Sequence, residues 1–149
     1  MFTSDKPHSG FPSSPHHAAF PSDPTLFEAL GRHARRIRCE EDRVLFSQGD
    51  EPIGLFLVRS GTVHAVVHSD NGKAAAVFSA NPGAVLCLPA VVSQKPCSLS
   101  ALARQGSDIA FLSKDDFDDL LREEPGLLIA ALRVLASEVH AAREALADS

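Results

Sequence analysis

The stretch Arg43-Val44-Leu45-Phe46-Ser47-Gln48-Gly49-Asp50-Glu51-Pro52-Ile53-Gly54-Leu55-Phe56-Leu57-Val58-Arg59-Ser60-Gly61-Thr62-Val63 decides the fold. It holds two short apolar runs, Val44-Leu45-Phe46 and Leu55-Phe56-Leu57-Val58, each followed by turn residues. Runs of this length, rich in valine and phenylalanine, read as strands rather than helices. Gly49-Asp50 and Ser60-Gly61 close them off, and glycine permits the positive φ that tight turns between strands require.

Toward the C-terminus the same rhythm continues. Val63-His64-Ala65-Val66-Val67, Ala74 to Phe78, Val85-Leu86, Leu99 to Ala103 and Ile109 to Leu112 are all strand-like. Asn71-Gly72 separates two of them, which is a strong short-range hairpin signal. Asn81-Pro82-Gly83 marks a further turn. Many short strands without interleaved helices predict a mainly β fold, a double-stranded β-helix or jelly-roll-like barrel of eight antiparallel strands.

Helices flank this region. Leu26 to Arg38 reads as a short helix with Thr25 as N-cap and Glu28 three residues on, a capping-box spacing. Arg32, Arg35, Arg36 and Arg38 make its outer face basic. On the far side, Ser113 caps a helix from Lys114 to Arg122, with Asp115 and Asp116 in its first turn. Pro125 suits the first turn of a second, longer helix reaching about Ala147. Along it Leu128, Leu132, Leu135, Val139, Ala142 and Leu146 recur at alternating spacings of four and three, a heptad seam. Glu138 and Arg143 then occupy g and e positions, able to pair across two parallel helices. The seam reads as a dimer interface. The other use of such a stripe is packing on its own barrel.

The predicted organisation is a Pro/Ser/His-rich disordered tail over residues 1–24, a barrel over 25–123 and a dimerisation helix over 124–149. The 149 residues carry 44% hydrophobic and 22% charged side chains, with no tryptophan or tyrosine, as a chain with a real core does. The net charge is −5, from 19 acidic and 14 basic residues, which argues against a nucleic-acid binder. No apolar run approaches the roughly 18 residues of a membrane span, and no secretion leader is visible, so a cytoplasmic protein is expected. Cys39, Cys87 and Cys97 are an odd number without close pairing in sequence, so neither a disulfide framework nor a metal site is expected.

The opening stretch resembles a cyclic-nucleotide-binding domain, the sensor half of catabolite-activator (Crp/Fnr) type regulators. The likeness rests on a strand ending in Phe46, then Gln48-Gly49-Asp50, then Leu55-Phe56-Leu57-Val58, then Ser60-Gly61. It extends through Asn71-Gly72, Pro82-Gly83, the helix containing Phe117 and the long terminal helix, about Leu26 to Leu146. The resemblance implies a phosphate-binding cassette after Gly83. There, nucleotide-binding members place a Gly-Glu pair and later an Arg-Ser-Ala or Arg-Thr-Ala run. The glutamate accepts the ribose 2′-hydroxyl, and the arginine pairs with the cyclic phosphate beside a short helix.

Aligned without gaps, the family glycine falls on Cys87, the glutamate on Leu88 and the arginine on Leu99, while Ser100 and Ala101 match. Pro89 follows where a backbone N–H would otherwise serve the cradle. Losing the arginine removes a charge-assisted bond of about 1.5–3 kcal/mol. Weak or absent cAMP binding is the expectation, with Lys95 the nearest substitute cation. The candidate ligand-contacting residues are Gly83, Val85, Leu86, Cys87, Leu88, Pro89, Ala90, Leu99, Ser100 and Ala101. Val85, Leu86, Leu88, Leu99 and Ala101 either line an apolar pocket or fill the barrel.

Other chemistry is thin. Cys87 and Cys97 flank the cassette and could meet as a redox switch, or be inert buried thiols. His64 and His68 share a strand face but stand too far apart to ligate one iron. No nucleophile, base or phosphate-loop pattern is present, so no enzyme and no catalytic residue is expected. After the seam only about three residues remain, with no room for a DNA-reading helix, so no direct DNA binding is expected. The sequence reading is a regulatory domain, homodimeric through its last helix. It serves as a small-ligand sensor, as a docking module for a partner protein with a plugged pocket, or as a thiol switch.

Overall fold

Leu55, Phe56, Leu57 and Val58 are all buried, which only a strand covered on both faces achieves. In the computed structural model, which describes residues 22–148, they form the middle of β3 (Gly54–Ser60). In chain order the elements are α1 (Pro24–Gly31), β1 (Arg35–Arg38), β2 (Arg43–Phe46), β3, β4 (Val63–His68), β5 (Ala74–Ala80) and β6 (Val85–Leu86). Then follow α2 (Leu88–Ser93), β7 (Ser100–Ala103), β8 (Asp108–Ser113), α3 (Lys114–Glu123) and α4 (Gly126–Asp148). The predicted tail, apart from residues 22–24, lies outside the described residues.

The strands form two antiparallel four-stranded sheets, ordered β1-β8-β3-β6 and β2-β7-β4-β5. Phe56 stands opposite Phe111 and Leu57 opposite Ala110 in one sheet, while Ala65 stands opposite Ala101 in the other. This is the expected jelly-roll architecture with flanking helices. The Asn71-Gly72 turn joins β4 to β5, with Gly72 at φ 83°.

Two apolar clusters share the first sheet. Inside the barrel lie Phe46, Phe56, Val58, Val63, Leu86, Ala101 and Ile109 among others. Phe46, Phe56 and Phe111 stack across it, with centroids 5.6 and 5.0 Å apart. On the other face, Leu55, Leu57, Val85, Ala110 and Leu112 meet Leu26 and Leu30 of α1, Phe117 and Leu120 of α3, and Leu127, Ala131 and Val134 of α4. Adjacent residues of β3 therefore serve different cores, as period-two alternation requires.

The first helix differs from expectation. It starts earlier and ends at Gly31, and Asp23 is the N-cap, its carboxylate accepting from the Leu26 N–H at 3.0 Å. Arg35–Arg38 is not helical but an edge strand on β8. Ile37 packs into the barrel cluster, and Arg36 bonds Asp108 of the neighbouring strand. That pairing overrides the helical pattern. Downstream, Ser113 caps α3 as expected, accepting from the Asp116 N–H at 3.1 Å.

Candidate ligand-binding cassette

The cassette is β6, the turn at Cys87, α2 and the loop into β7. Gly83 opens it at φ 101°, its N–H donating to Val58 at 2.9 Å. Cys87 is the N-cap of α2 and adopts φ 77°, ψ 4°, a left-handed conformation rare outside glycine. This is the place where the ungapped alignment sets the family glycine. Pro89 sits in the first turn of α2 and is exposed, and Gln94 ends the helix at φ 58°.

The candidate residues do not share one pocket. Val85 and Leu88 belong to the cluster beneath α1, α3 and α4, and Leu88 is fully buried there. Leu86, Ala90 and Ala101 face the barrel interior, with Cys87 and Leu99 packed against it half-buried. Val85 and Leu86 are consecutive on a strand, so they must point to opposite faces. Ser100 is committed elsewhere, its hydroxyl accepting from the Gln48 N–H at 2.8 Å. Gln48 in turn brackets His68, donating to its carbonyl at 3.0 Å and accepting from its N–H at 2.8 Å.

Beside the cassette is a recess of about 260 Å³, lined by Leu45, Phe46, Asp50, Glu51, Pro52, Ile53, Phe56, Cys87 and Cys97. Ligand pockets for small molecules begin near roughly 300 Å³. The recess has an apolar floor of two phenylalanines and a rim carrying two exposed carboxylate residues, Asp50 and Glu51. An acidic rim opposes a cyclic phosphate. Asp50 is also tied into the β2–β3 turn, accepting from the Ser47 N–H at 2.9 Å. Phe46 and Asp50 mark the fold in the sequence motif, and the structure makes them walls of the recess as well. Their place in the quoted motif was the available signal.

Among the described residues no Lys, Arg or His lines the recess. Arg104 engages Asp42 at 3.3 Å and stands 3.4 Å from His64, away from the recess lining. Burial, then the Arg104 charge, holds His64 below its ordinary value. Lys95 is exposed in the loop after α2. Among the described residues no group of three or more His, Cys, Asp or Glu could hold a metal ion. The Cys87 and Cys97 sulfurs lie 3.8 Å apart, both as free thiols, and burial pushes both above the ordinary thiol range.

The seam of α4 divides. Leu128, Leu132 and Val139 are 46, 57 and 50% exposed, joined by Ile129 at 51%, which the heptad pattern omitted. Ala142, Arg143 and Leu146 are exposed too. Leu135 instead packs against its own core, and Glu138 is half-buried. The helix's inward stripe is Leu127, Ala130, Ala131 and Val134, rotated by one residue from the predicted one.

The two-sheet barrel, the turn-and-helix cassette and the long last helix define a cyclic-nucleotide-binding domain. A family model described as "Cyclic nucleotide-binding domain" matches residues 36–124, and the chain belongs to that family. Its fold is shared by Thermus thermophilus catabolite activator protein, with a TM-score of 0.70 and 22% identity over 91% of this chain and 62% of that one. Among curated relatives, patatin-like phospholipase domain-containing protein 6 of Pongo abelii is 26% identical over 132 residues, 77% of this chain but 10% of its own. Regulatory protein HlyX of Actinobacillus pleuropneumoniae is 24% identical over 110 residues, 74% of this chain and 45% of its own. The chain thus spans under half the length of these curated relatives. Among the described residues no helix is long and apolar enough to cross a membrane.

Proposed function

We propose that this is a regulatory domain whose cyclic-nucleotide site is closed, so that cAMP and cGMP bind weakly or not at all. The observation that carries this reading is Leu88. At the position expected to hold the ribose-binding glutamate, the side chain points into the helix-side core and has no exposed surface. Leu99, at the arginine position, packs against the barrel interior. A carboxylate rim and a small recess argue in the same direction. The role is regulatory rather than catalytic: it works by changing how α4 and the surrounding surfaces meet a partner. The exposed row Leu128, Ile129, Leu132 and Val139 supports pairing of two copies through α4. The net charge of −5 supports a domain that does not itself read DNA.

The test is calorimetric titration with cAMP and cGMP up to millimolar concentration, beside melting scans of the same samples. No heat and an unchanged melting temperature are expected. Saturable heat with a raised melting temperature overturns the closed-site reading, since a ligand that binds the folded state must stabilise it.

A further inference from the structure

We propose that Cys87 and Cys97 form a redox-modification site that closes to an intramolecular disulfide on reaction with a small hydroperoxide. The two free thiols stand 3.8 Å apart, ten residues apart in sequence, and both line the 260 Å³ recess. A disulfide needs about 2.05 Å between sulfurs, so closure requires a sulfur displacement of about 2 Å. The half-buried Cys87 is the sulfur a small oxidant reaches first, and the buried Cys97 resolves it. Cys39 does not line the recess and serves as an internal control.

The chemistry balances. The Cys87 sulfur attacks one peroxide oxygen, an S–O bond forms, the O–O bond breaks, and the departing oxygen leaves as water or alcohol with the thiol proton. Cys97 then attacks the sulfenic sulfur. The S–S bond forms, the S–O bond breaks, and hydroxide leaves as water with the second thiol proton. Two thiols are oxidised by two electrons and one peroxide is reduced. Burial holds both thiols protonated near neutrality, so the reaction is slow there and accelerates as pH rises. The same basicity makes each sulfur a poor leaving group, so dithiothreitol reduces the disulfide slowly.

The bond would act on the cassette directly. Cys87 is the left-handed N-cap of α2. The Cys97 carbonyl accepts from the Gly49 N–H and its N–H donates to the Asp50 carbonyl, each at 2.8 Å. The disulfide therefore ties α2 to the β2–β3 turn across the recess. This inference does not rest on the closed-site reading, and its test uses no nucleotide.

The reduced full chain is treated with graded hydrogen peroxide and followed by intact mass, free-thiol titration and a non-reducing digest. Free thiols should fall from three to one. The mass should drop by two hydrogens, one Cys87–Cys97 peptide should appear with Cys39 unmodified, and dithiothreitol should reverse the change. Amide exchange within Leu88–Ser93 should slow about tenfold after oxidation. Oxygen adducts without a link, a link between two chains, or a link to Cys39 would overturn the proposal. So would three surviving thiols at a peroxide concentration that oxidises the urea-unfolded chain. The intact mass and the non-reducing digest of the wild-type chain together decide, without a variant. Cys87→Ser, if it folds, should leave Cys97 unlinked.

Discussion

Leu88 sits among Leu26, Leu30, Phe117 and Leu120, wholly out of water. Its role is cohesion between the cassette and the helical layer. Truncating it leaves a cavity where α2 meets that layer, so Leu88→Ala should lower unfolding free energy by about 2–5 kcal/mol, measured by urea denaturation. A variant as stable as the wild type would place the side chain elsewhere. An ungapped alignment sets Leu88 at the family glutamate's position, and what was legible there is an apolar side chain in place of a charged one. Which core the side chain joins was not legible, because Val85, Leu86 and Leu88 are equally apolar and only the strand's facing separates them. The positive φ at Cys87 was hidden by the residue type itself, and the one signal for it was the family glycine that the ungapped alignment sets there.

Among the elements, strands set off by glycine turns could be read directly from the opening motif. β1 could not, because Arg35-Arg36-Ile37-Arg38 shows one apolar residue and continues a helical pattern. An edge strand needs only one inward side chain, and charges on it discourage pairing with other chains. The turn from β3 to β4 rests on Gly61, at φ 89°. A Cβ there would meet the Ser107 Cα at 2.6 Å. Ser107 cannot yield, since its hydroxyl both accepts from the Thr62 N–H and donates to the Thr62 carbonyl at 3.1 Å. Gly61→Ala should therefore cost about 1–3 kcal/mol or more, seen as a lowered melting temperature. In α4, burial raises the Glu138 carboxyl from its ordinary value near 4.5 to about 7. Between those values the folded chain holds a proton that the unfolded chain has released, so stability falls as pH rises through the window. Glu138→Gln should match the wild type in urea midpoint at pH 4 and exceed it at pH 8. Equal midpoints at both would remove the burial penalty from the account.

For the whole molecule, the heptad seam foresaw a helix longer than the barrel needs, and α4 runs over 23 residues. The pattern did not distinguish the outward row from the inward one, because leucine and alanine occupy both. The proposed pairing of two copies gives a contrast. Leu132→Asp, on the exposed row, should yield a folded monomer by light scattering with an unchanged melting transition at low protein concentration. Leu135→Asp should lose stability outright, because that side chain serves its own core. A wild-type chain that is monomeric at high concentration would end the pairing reading.

The position of β3 between two cores has a mechanical meaning. Phe56 and Val58 bear on the barrel while Leu55 and Leu57 bear on the helices, through one backbone without a hinge. Close-packed interiors are stiff and pass strain on rather than absorb it. Any swelling or tightening of the aromatic stack must therefore push this strand as a common wall. The layer beneath α4 receives the displacement with no loop in between to dissipate it.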